Sequence, residues 1–378
     1  MVFSRKGCGR LLGAGVVAGL GVLAGAYVEA RAYCLRQRTL MLMREGASDN
    51  RASSSENGEA GQHTGEEESL VPERPLRVLH LTDIHLVPTQ RKKIAFVRSL
   101  AAQDPDLVVL TGDLLAAPDA LDSLLYALEP FAGIPGAFVY GSNDYFSPRP
   151  KNPLSYLDKA RYQHSSRAAE PAMEAPRRFP DLPYQELTER LENYGWLNAN
   201  NQRGRLQAAG WEIDLVGVDD PHIGRDRFPE ATPHLAEGVA FSEGQSLVAG
   251  VDGKSQAADK KADLYVGLTH APYTRTLNAM LADGRDLVFA GHTHGGQLAL
   301  PVIGALTTNC DLVNRLDSGL FSWPDTGAQP VRGDGGVVSL EGEMYVNTPT
   351  GIGTSPFVPF RAFRQPEAVL LEIRATVR

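Results

Sequence analysis

Six short apolar runs constrain this chain more than any other feature, because each of them leads into a turn rich in Gly, Asp, Asn or His. They are Leu76–Thr82, Leu107–Leu110, Gly136–Tyr140, Ile213–Gly217, Asp263–His270 and Asp286–Ala290. Aliphatic and β-branched runs bounded by such turns read as buried strands. Between them, Ile94–Gln103, Ala117–Leu128 and Tyr184–Tyr194 carry helical spacing. Strands alternating with helices predict an α/β layered sandwich.

The bulk numbers agree with a globular enzyme-sized chain. Its 378 residues, 43% hydrophobic and 22% charged, suffice to bury a sizeable core in one large domain with extensions. A net charge of −8 with no clustered basic face argues against a nucleic-acid partner. Cys8, Cys34 and Cys310 form neither a disulfide framework nor a CxxC metal site.

The amino-terminal part reads differently. Arg5, Lys6 and Arg10 precede the uncharged stretch Leu11–Val28, near the lower length limit for a membrane-spanning helix. Small-residue spacings at Gly15/Gly19 and Gly21/Gly25 suit close helix packing in lipid. Val28-Glu-Ala30 also resembles a signal cleavage site, but the stretch is long for a cleaved signal. The reading is a single amino-terminal membrane span, with residues 1–44 as anchor and juxtamembrane stretch. Arginines after the span balance the positives before it, so loop charge leaves orientation open. Ser4-Arg-Lys-Gly resembles a degraded twin-arginine export signal, which favours an extracytoplasmic domain. Residues 45–74 are polar and read as a flexible linker, and residues 75–378 as the globular domain. Polar insertions fall near 147–180 and 243–261.

Residues suited to metal binding recur at the carboxyl ends of the expected strands: Asp83, His85, Asp113, Asn143, His270, His292 and His294. Ligands of open α/β sheets bind in the crevice at those ends, so residues distant in sequence can converge there. Imidazole and carboxylate without thiolate suit Mn, Fe or Zn. The i, i+2 spacing of Asp83/His85 and of His292/His294 would point each pair to one side of an extended backbone.

The set DIH, GD, GxxD, THAP and GHTHGG, in this order, resembles the calcineurin-like metallophosphoesterases. It looks most like a membrane-associated bacterial branch, in which a Gly-Ile-Gly-Thr-Ser segment, here Gly351–Ser355, follows. The resemblance covers roughly Leu76 to Ile373. It implies a four-layer α/β/β/α sandwich of two mixed sheets holding two divalent metal ions. One would be bound by Asp83, His85 and His294, the other by Asn143, His270 and His292, with Asp113 bridging. The implied reaction is attack of a metal-bridged hydroxide on a phosphate mono- or diester, since two such ions clamp the attacking and leaving oxygens.

One turn departs from the family pattern. Where the family writes Gly-Asn-His-Asp or Gly-Asn-His-Glu, this chain has Gly141-Ser142-Asn143-Asp144. Aligned without a gap, Ser142 takes the ligand position and Asn143 that of the leaving-group histidine; with a shift of one, Asn143 remains a ligand. An amide oxygen serves a hard cation better than a hydroxyl, which favours Asn143. Either way no histidine delivers the proton there, a loss worth about 10²–10⁴ in rate. His222, near Asp219, Asp220 and Arg225, reads as a loop histidine paired to a carboxylate, and His80 as a satisfied core residue.

The expected function is therefore a membrane-tethered phosphohydrolase acting on a membrane or cell-envelope phosphate ester. The alternative is a degenerate, metal-stabilised fold that only binds a phosphorylated ligand. The absence of HExxH excludes a zinc protease of that type.

Overall fold

The computed structural model describes residues 19–44, 72, 74–149, 179–230, 262–300, 304–305, 308–335, 337–338 and 344–377. The expected linker over 45–74, apart from residues 72 and 74, and most of both polar insertions lie outside them, as do His63, His164 and His234. Strands in chain order are β1 (Cys34–Arg44), β2 (Leu76–Leu81), β3 (Leu107–Thr111), β4 (Gly136–Val139), β5 (Trp196–Asn198), β6 (Gln202–Ala208), β7 (Trp211–Gly217) and β8 (Leu264–Leu268). They continue with β9 (Leu287–Phe289), β10 (Ala299–Leu300), β11 (Gly304–Ala305), β12 (Gly319–Trp323), β13 (Val337–Val338), β14 (Met344–Thr348) and β15 (Glu367–Val377).

Two mixed sheets result, one ordered β13-β1-β15-β2-β3-β4-β5 and the other β12-β14-β9-β8-β7-β6, with β10-β11 a separate ribbon. In the first, β2 through β5 run parallel, and β15 joins β2 antiparallel with Leu371 opposite Val78. In the second, β7, β8, β9 and β14 run parallel, and the edges β6 and β12 pair antiparallel. Every residue of β3 and β4 is buried, as expected of parallel strands covered on both faces. By contrast β6 carries Arg203 and Arg205 on an edge, where charge discourages further pairing.

Three apolar clusters account for the layering. Between the sheets, Val78, Val109 and Val369 of the first meet Ile213, Val266 and Phe289 of the second. The outer face of the first sheet is covered by α1 (Arg91–Ser99), α2 (Leu121–Leu128) and α3 (Tyr184–Asn193). In α2 the buried positions Leu121, Leu124, Leu125 and Leu128 repeat at helical spacing and form one apolar stripe. The outer face of the second sheet takes Leu277 and Met280 of α4 (Thr274–Ala282). The order is helix, sheet, sheet, helix, as the resemblance implied.

The expected domain start near Pro75 needs correction. Residues 34–44, read from sequence as a juxtamembrane stretch, form β1 and pair with β15 along its whole length, from Cys34 opposite Glu367 to Arg44 opposite Val377. Arg38 is buried there and donates to Asn347 Oδ1 at 3.2 Å and to the Arg332 carbonyl at 3.0 Å. β1 and β2 thus belong to one sheet, and the domain takes in residues that precede the expected linker. Residues 19–29 are helical. Among the described residues no helix is long and apolar enough to cross a membrane, and Leu11–Ala18 lie outside them.

Candidate metal centre

Parallel strands of both sheets release their carboxyl ends on the same side. Asp83 and His85 follow β2, Asp113 follows β3 and Asn143 follows β4. His222 follows β7, His270 follows β8, and His292 and His294 follow β9. Asp83, His85 and His294 each offer one ligand atom, all within 4.8 Å of one another, and so do Asp83, Asp113 and His270. Asp83 therefore belongs to both groups, where the resemblance placed it in one.

Asp113 stands between the two histidine sets. Its Oδ2 lies 3.4 Å from His85 Nε2 and its Oδ1 3.5 Å from His270 Nε2. Asn143 approaches the same carboxylate, donating from its backbone N–H to Oδ1 and from Nδ2 to Oδ2, both at 2.7 Å. His294 Nε2 is 3.3 Å from His85 Nε2 and 3.4 Å from Asp83 Oδ1. His292 Nδ1 is 3.3 Å from His270 Nε2. All seven residues singled out from sequence thus meet in one place.

The histidine tautomers test whether a cation fits. A carbonyl oxygen only accepts, so His270 Nδ1, 2.6 Å from the Thr111 carbonyl, carries hydrogen. His292 Nε2 lies 3.0 Å from the Asn309 carbonyl, closer than the 3.3 Å to the Asn309 side-chain amide, and carries hydrogen when it donates to that carbonyl. In neutral rings the facing atoms, His270 Nε2 and His292 Nδ1, are then two lone pairs 3.3 Å apart. Such a pair needs a proton or a metal ion between or beside it, and nitrogen and carboxylate donors together suit a divalent metal.

The charge balance of the metal-free cluster points the same way. Burial alone would lower the His270 pKa, but Asp113, Asp220 and Asp83 outweigh it and raise it to about 9. Burial pushes Asp113 upward, yet His270, His85 and the two Asn143 hydrogen bonds hold it below the usual carboxylate range. His292 and His294 are lowered, chiefly by burial, and His85 likewise to about 4. Positive and negative groups packed this closely out of water mark a site built for charge.

The backbone presenting these groups is not the extended one that the i, i+2 spacing suggested. Asp83, His85, Asp113, His292 and His294 all have φ between 43° and 70°. Non-glycine residues pay about 1–3 kcal/mol each for such conformations, which persist where surrounding structure enforces them. Two glycines make the close approach possible. A Cβ on Gly291 would lie 2.0 Å from Thr82 Oγ1 and 2.7 Å from Asp83 Oδ2, and one on Gly141 would lie 2.3 Å from Asp113 Oδ1.

Several residues that sequence reasoning gave no role hold the loops in place. Asp144 accepts hydrogen bonds from the backbone of Gly141, Asp113 and Leu114, each at 2.8 Å, tying the β3 and β4 loops together. Buried Lys93 donates to the carbonyls of Ile84 at 2.6 Å and His85 at 3.2 Å. Asn309 orients His292. His222 lies closer to the centre than its loop setting suggested, with its ring 4.3 Å from that of His292 and its Nδ1 3.0 Å from Tyr273 Oη. His80 is the core residue expected, buried with Nε2 2.8 Å from Thr111 Oγ1 and Nδ1 2.9 Å from Asn347 Nδ2. The signal available in sequence was slight: Asp144 sits inside the departing turn, and Lys93 interrupts an apolar helix face.

Two facing mixed sheets with imidazoles and carboxylates gathered at their carboxyl ends define a metallophosphoesterase architecture. The calcineurin-like phosphoesterase family matches residues 76–296, more than half of the chain, and the chain belongs to that family. It is a metallophosphoesterase by that membership. Among curated relatives, YkoQ of Bacillus subtilis, named an uncharacterized metallophosphoesterase, is 21% identical over 240 residues, 62% of this chain and 67% of YkoQ. The UDP-2,3-diacylglucosamine pyrophosphatase LpxG of Chlamydia trachomatis is 24% identical over 276 residues, 66% of this chain and 74% of LpxG. Of solved structures, the purple acid phosphatase PPD1 from yellow lupin seeds has a TM-score of 0.32 at 11% identity, covering 59% of this chain and 39% of that one. TT1561 of Thermus thermophilus has a TM-score of 0.29 at 14% identity, covering 57% of this chain and 81% of that one.

Proposed function

We propose that this chain hydrolyses a phosphate mono- or diester of a membrane or cell-envelope compound, using two divalent metal ions. The observation carrying this is the position of Asp113, one carboxylate oxygen toward His85 and the other toward His270. Asp83, His85 and His294 would hold one ion and Asn143, His270 and His292 the other, with Asp113 shared. Mn, Fe and Zn all match this donor set. Bound there, the ions supply Lewis acidity, neutralising charge on the phosphoryl oxygens and making water a competent nucleophile near neutral pH.

The chain's own residues set the geometry around that chemistry. The Thr111 and Asn309 carbonyls fix the His270 and His292 rings so that their free nitrogens face the centre. Asp144 and Lys93 hold the loops of the first sheet against it. Asn143 gives its backbone N–H and its side-chain amide to Asp113, steadying that carboxylate, and has no proton to give a leaving group. His222, next to His292, is the imidazole adjoining the cluster that the ligand set does not use, and we assign it the leaving-group side. The name of LpxG, a pyrophosphatase of an acylated nucleotide sugar, supports an amphiphilic substrate. The uncharged stretch Leu11–Val28, helical over its described residues 19–28, supports a membrane span.

The test uses the full chain in detergent, stripped of metal and reloaded with Mn²⁺. Nitrophenyl phosphate and bis-nitrophenyl phosphate are the substrates, with His292→Ala as control. Metal-dependent release of nitrophenol that disappears in the control is expected. Two bound ions per chain without turnover of either ester would refute hydrolysis.

A further inference from the structure

The helix over residues 19–29 is not a loose lead into the domain. Its last turn is fastened to the loop before β15. The Ala26 carbonyl accepts the Arg361 backbone N–H at 3.0 Å, and Glu29 Oε1 accepts that of Arg364 at 2.7 Å. Tyr27 and Phe360 rings stand 6.3 Å apart, and buried Ala26 and Ala30 close the contact. Four residues later the chain enters β1, inside the first sheet. The direction of the helix is therefore fixed relative to the sheets.

It is also fixed relative to the metal centre. Arg361, whose backbone meets Ala26, is fully buried, and its guanidinium donates to the carbonyls of Thr350 and Gly353 at 2.7 and 2.6 Å. The same guanidinium lies 3.3 Å from Nδ1 of His294. A single side chain thus separates the point where the helix leaves the domain from a proposed metal ligand.

Beyond that point the helix is bare. Residues 19–25 are all exposed, with Leu20 at 61% and Val22 at 71%, and they hold no charged or strongly polar side chain. A helix apolar on every side is stable only when covered. Large apolar side chains are also exposed on the loop before β15, Phe357 and Phe363, and at β10, Leu298 and Leu300. Leu298 pairs with Ala362 in an isolated bridge, and the Gln297 amide donates to the carbonyls of Val358 and Phe360, so these residues share one edge of the domain. Phe363 is 63% exposed while held at φ 57°, a strained conformation for an aromatic residue that gains nothing from burial in the protein.

We propose that Phe357, Phe363, Leu298 and Leu300 seat in the surface of the lipid bilayer that the helix enters, holding the mouth of the metal centre at head-group level. The occupant is the membrane itself, because this apolar edge lies on the loop that fastens the bare apolar helix of residues 19–28, through Ala26 and Tyr27, to the domain. The proposal rests on the phosphoesterase reading for its consequence. A centre fixed at that depth takes an amphiphile whose phosphate lies in the head-group layer of the same membrane.

The test has a binding arm and a turnover arm, both with the full chain reconstituted in phosphatidylcholine and phosphatidylglycerol vesicles. Phe357→Trp and Phe363→Trp are compared with Tyr126→Trp, which replaces an exposed residue on α2, using lipids brominated along the acyl chains as quenchers. Emission from positions 357 and 363 is expected to be quenched severalfold more than that from 126, after subtracting the parent protein. Equal quenching at the three positions would overturn the proposal. So would burial of position 363 in detergent that depends on protein concentration, since that marks a contact between copies. In the second arm, Phe357→Ser combined with Phe363→Ser should leave nitrophenyl phosphate turnover within about twofold of the parent while lowering hydrolysis of phosphatidic acid in the vesicles at least about tenfold. An equal fall on both substrates would contradict it. If the parent hydrolyses neither ester, the phosphoesterase reading fails, and the quenching still decides the docking.

Discussion

The two sheets contribute different chemistry to one centre. The first brings Asp83, Asp113 and Asn143, with His85 as its one imidazole; the second brings only imidazoles, His270, His292 and His294. They also hold their groups differently. In the first sheet, buried side chains grip the loops, with Asp144 taking three backbone N–H groups and Lys93 giving to two carbonyls. In the second, main-chain carbonyls orient the His270 and His292 rings, and one of them, that of Thr111, comes from the first sheet. The His292 backbone N–H returns the contact, donating to Asp83 at 3.0 Å. Neither sheet carries a site alone, so the centre also measures how the sheets are apposed.

Asp113→Asn should have the largest effect. It removes the negative charge shared by both histidine sets, and turnover should fall to the level of the His292→Ala control with loss of metal. Survival of activity would mean that Asp83, which belongs to both ligand groups, does the sharing. Asp144→Ala should act on stability. It strands three buried N–H donors at roughly 1–3 kcal/mol each, so urea unfolding should shift by about 3 kcal/mol or more. A shift below about 1 kcal/mol would show that the loops of the first sheet do not depend on it.

His222→Ala separates roles on the second sheet. If this residue serves the leaving group, alkyl esters should lose about 10²–10⁴ in rate while nitrophenyl esters, whose leaving groups need little help, lose much less. Equal losses on both would place His222 in the packing around His292 and Tyr273. Lys93→Met should leave the fold intact and weaken metal binding about 10–100-fold, the usual cost of losing a group that orients ligands. An unchanged metal affinity would show that the strained His85 backbone holds itself.

The smallest effect is a proton count. His270 is raised to about 9 in the metal-free protein, so at pH 7 its Nε2 holds a proton where a metal would bind. Metal loading at pH 7 should therefore release about one proton from this residue, and the release should vanish above about pH 10. Titration calorimetry in buffers of different ionisation enthalpy reads this directly. Release that does not change with pH would contradict it.

Much of this centre was legible in the chain, because each ligand closes an apolar strand and parallel strands must deliver their ends to one side. Helix positions were legible for a similar reason: the leucine spacing of α2 leaves one face to bury. What escaped notice was set by partners far away in sequence. Residues 34–44, with Arg36 and Arg38 beside an apolar stretch, read as a membrane flank, and their pairing partner lies more than 300 residues later. The left-handed backbone at the ligands was nearly as hidden, since Asp and His adopt it more often than most residues but only where surrounding structure enforces it. Asp144 and Lys93 drew no role from the sequence because their burial is decided by the loops that fold over them.

The most direct test of a centre assembled across both sheets is the metal content of the chain by mass spectrometry after equilibration with Mn²⁺, compared with His85→Ala and His270→Ala. Two ions per chain, falling to about one in each variant, is the predicted result. Two ions retained in both variants, or none bound by the parent, would contradict it.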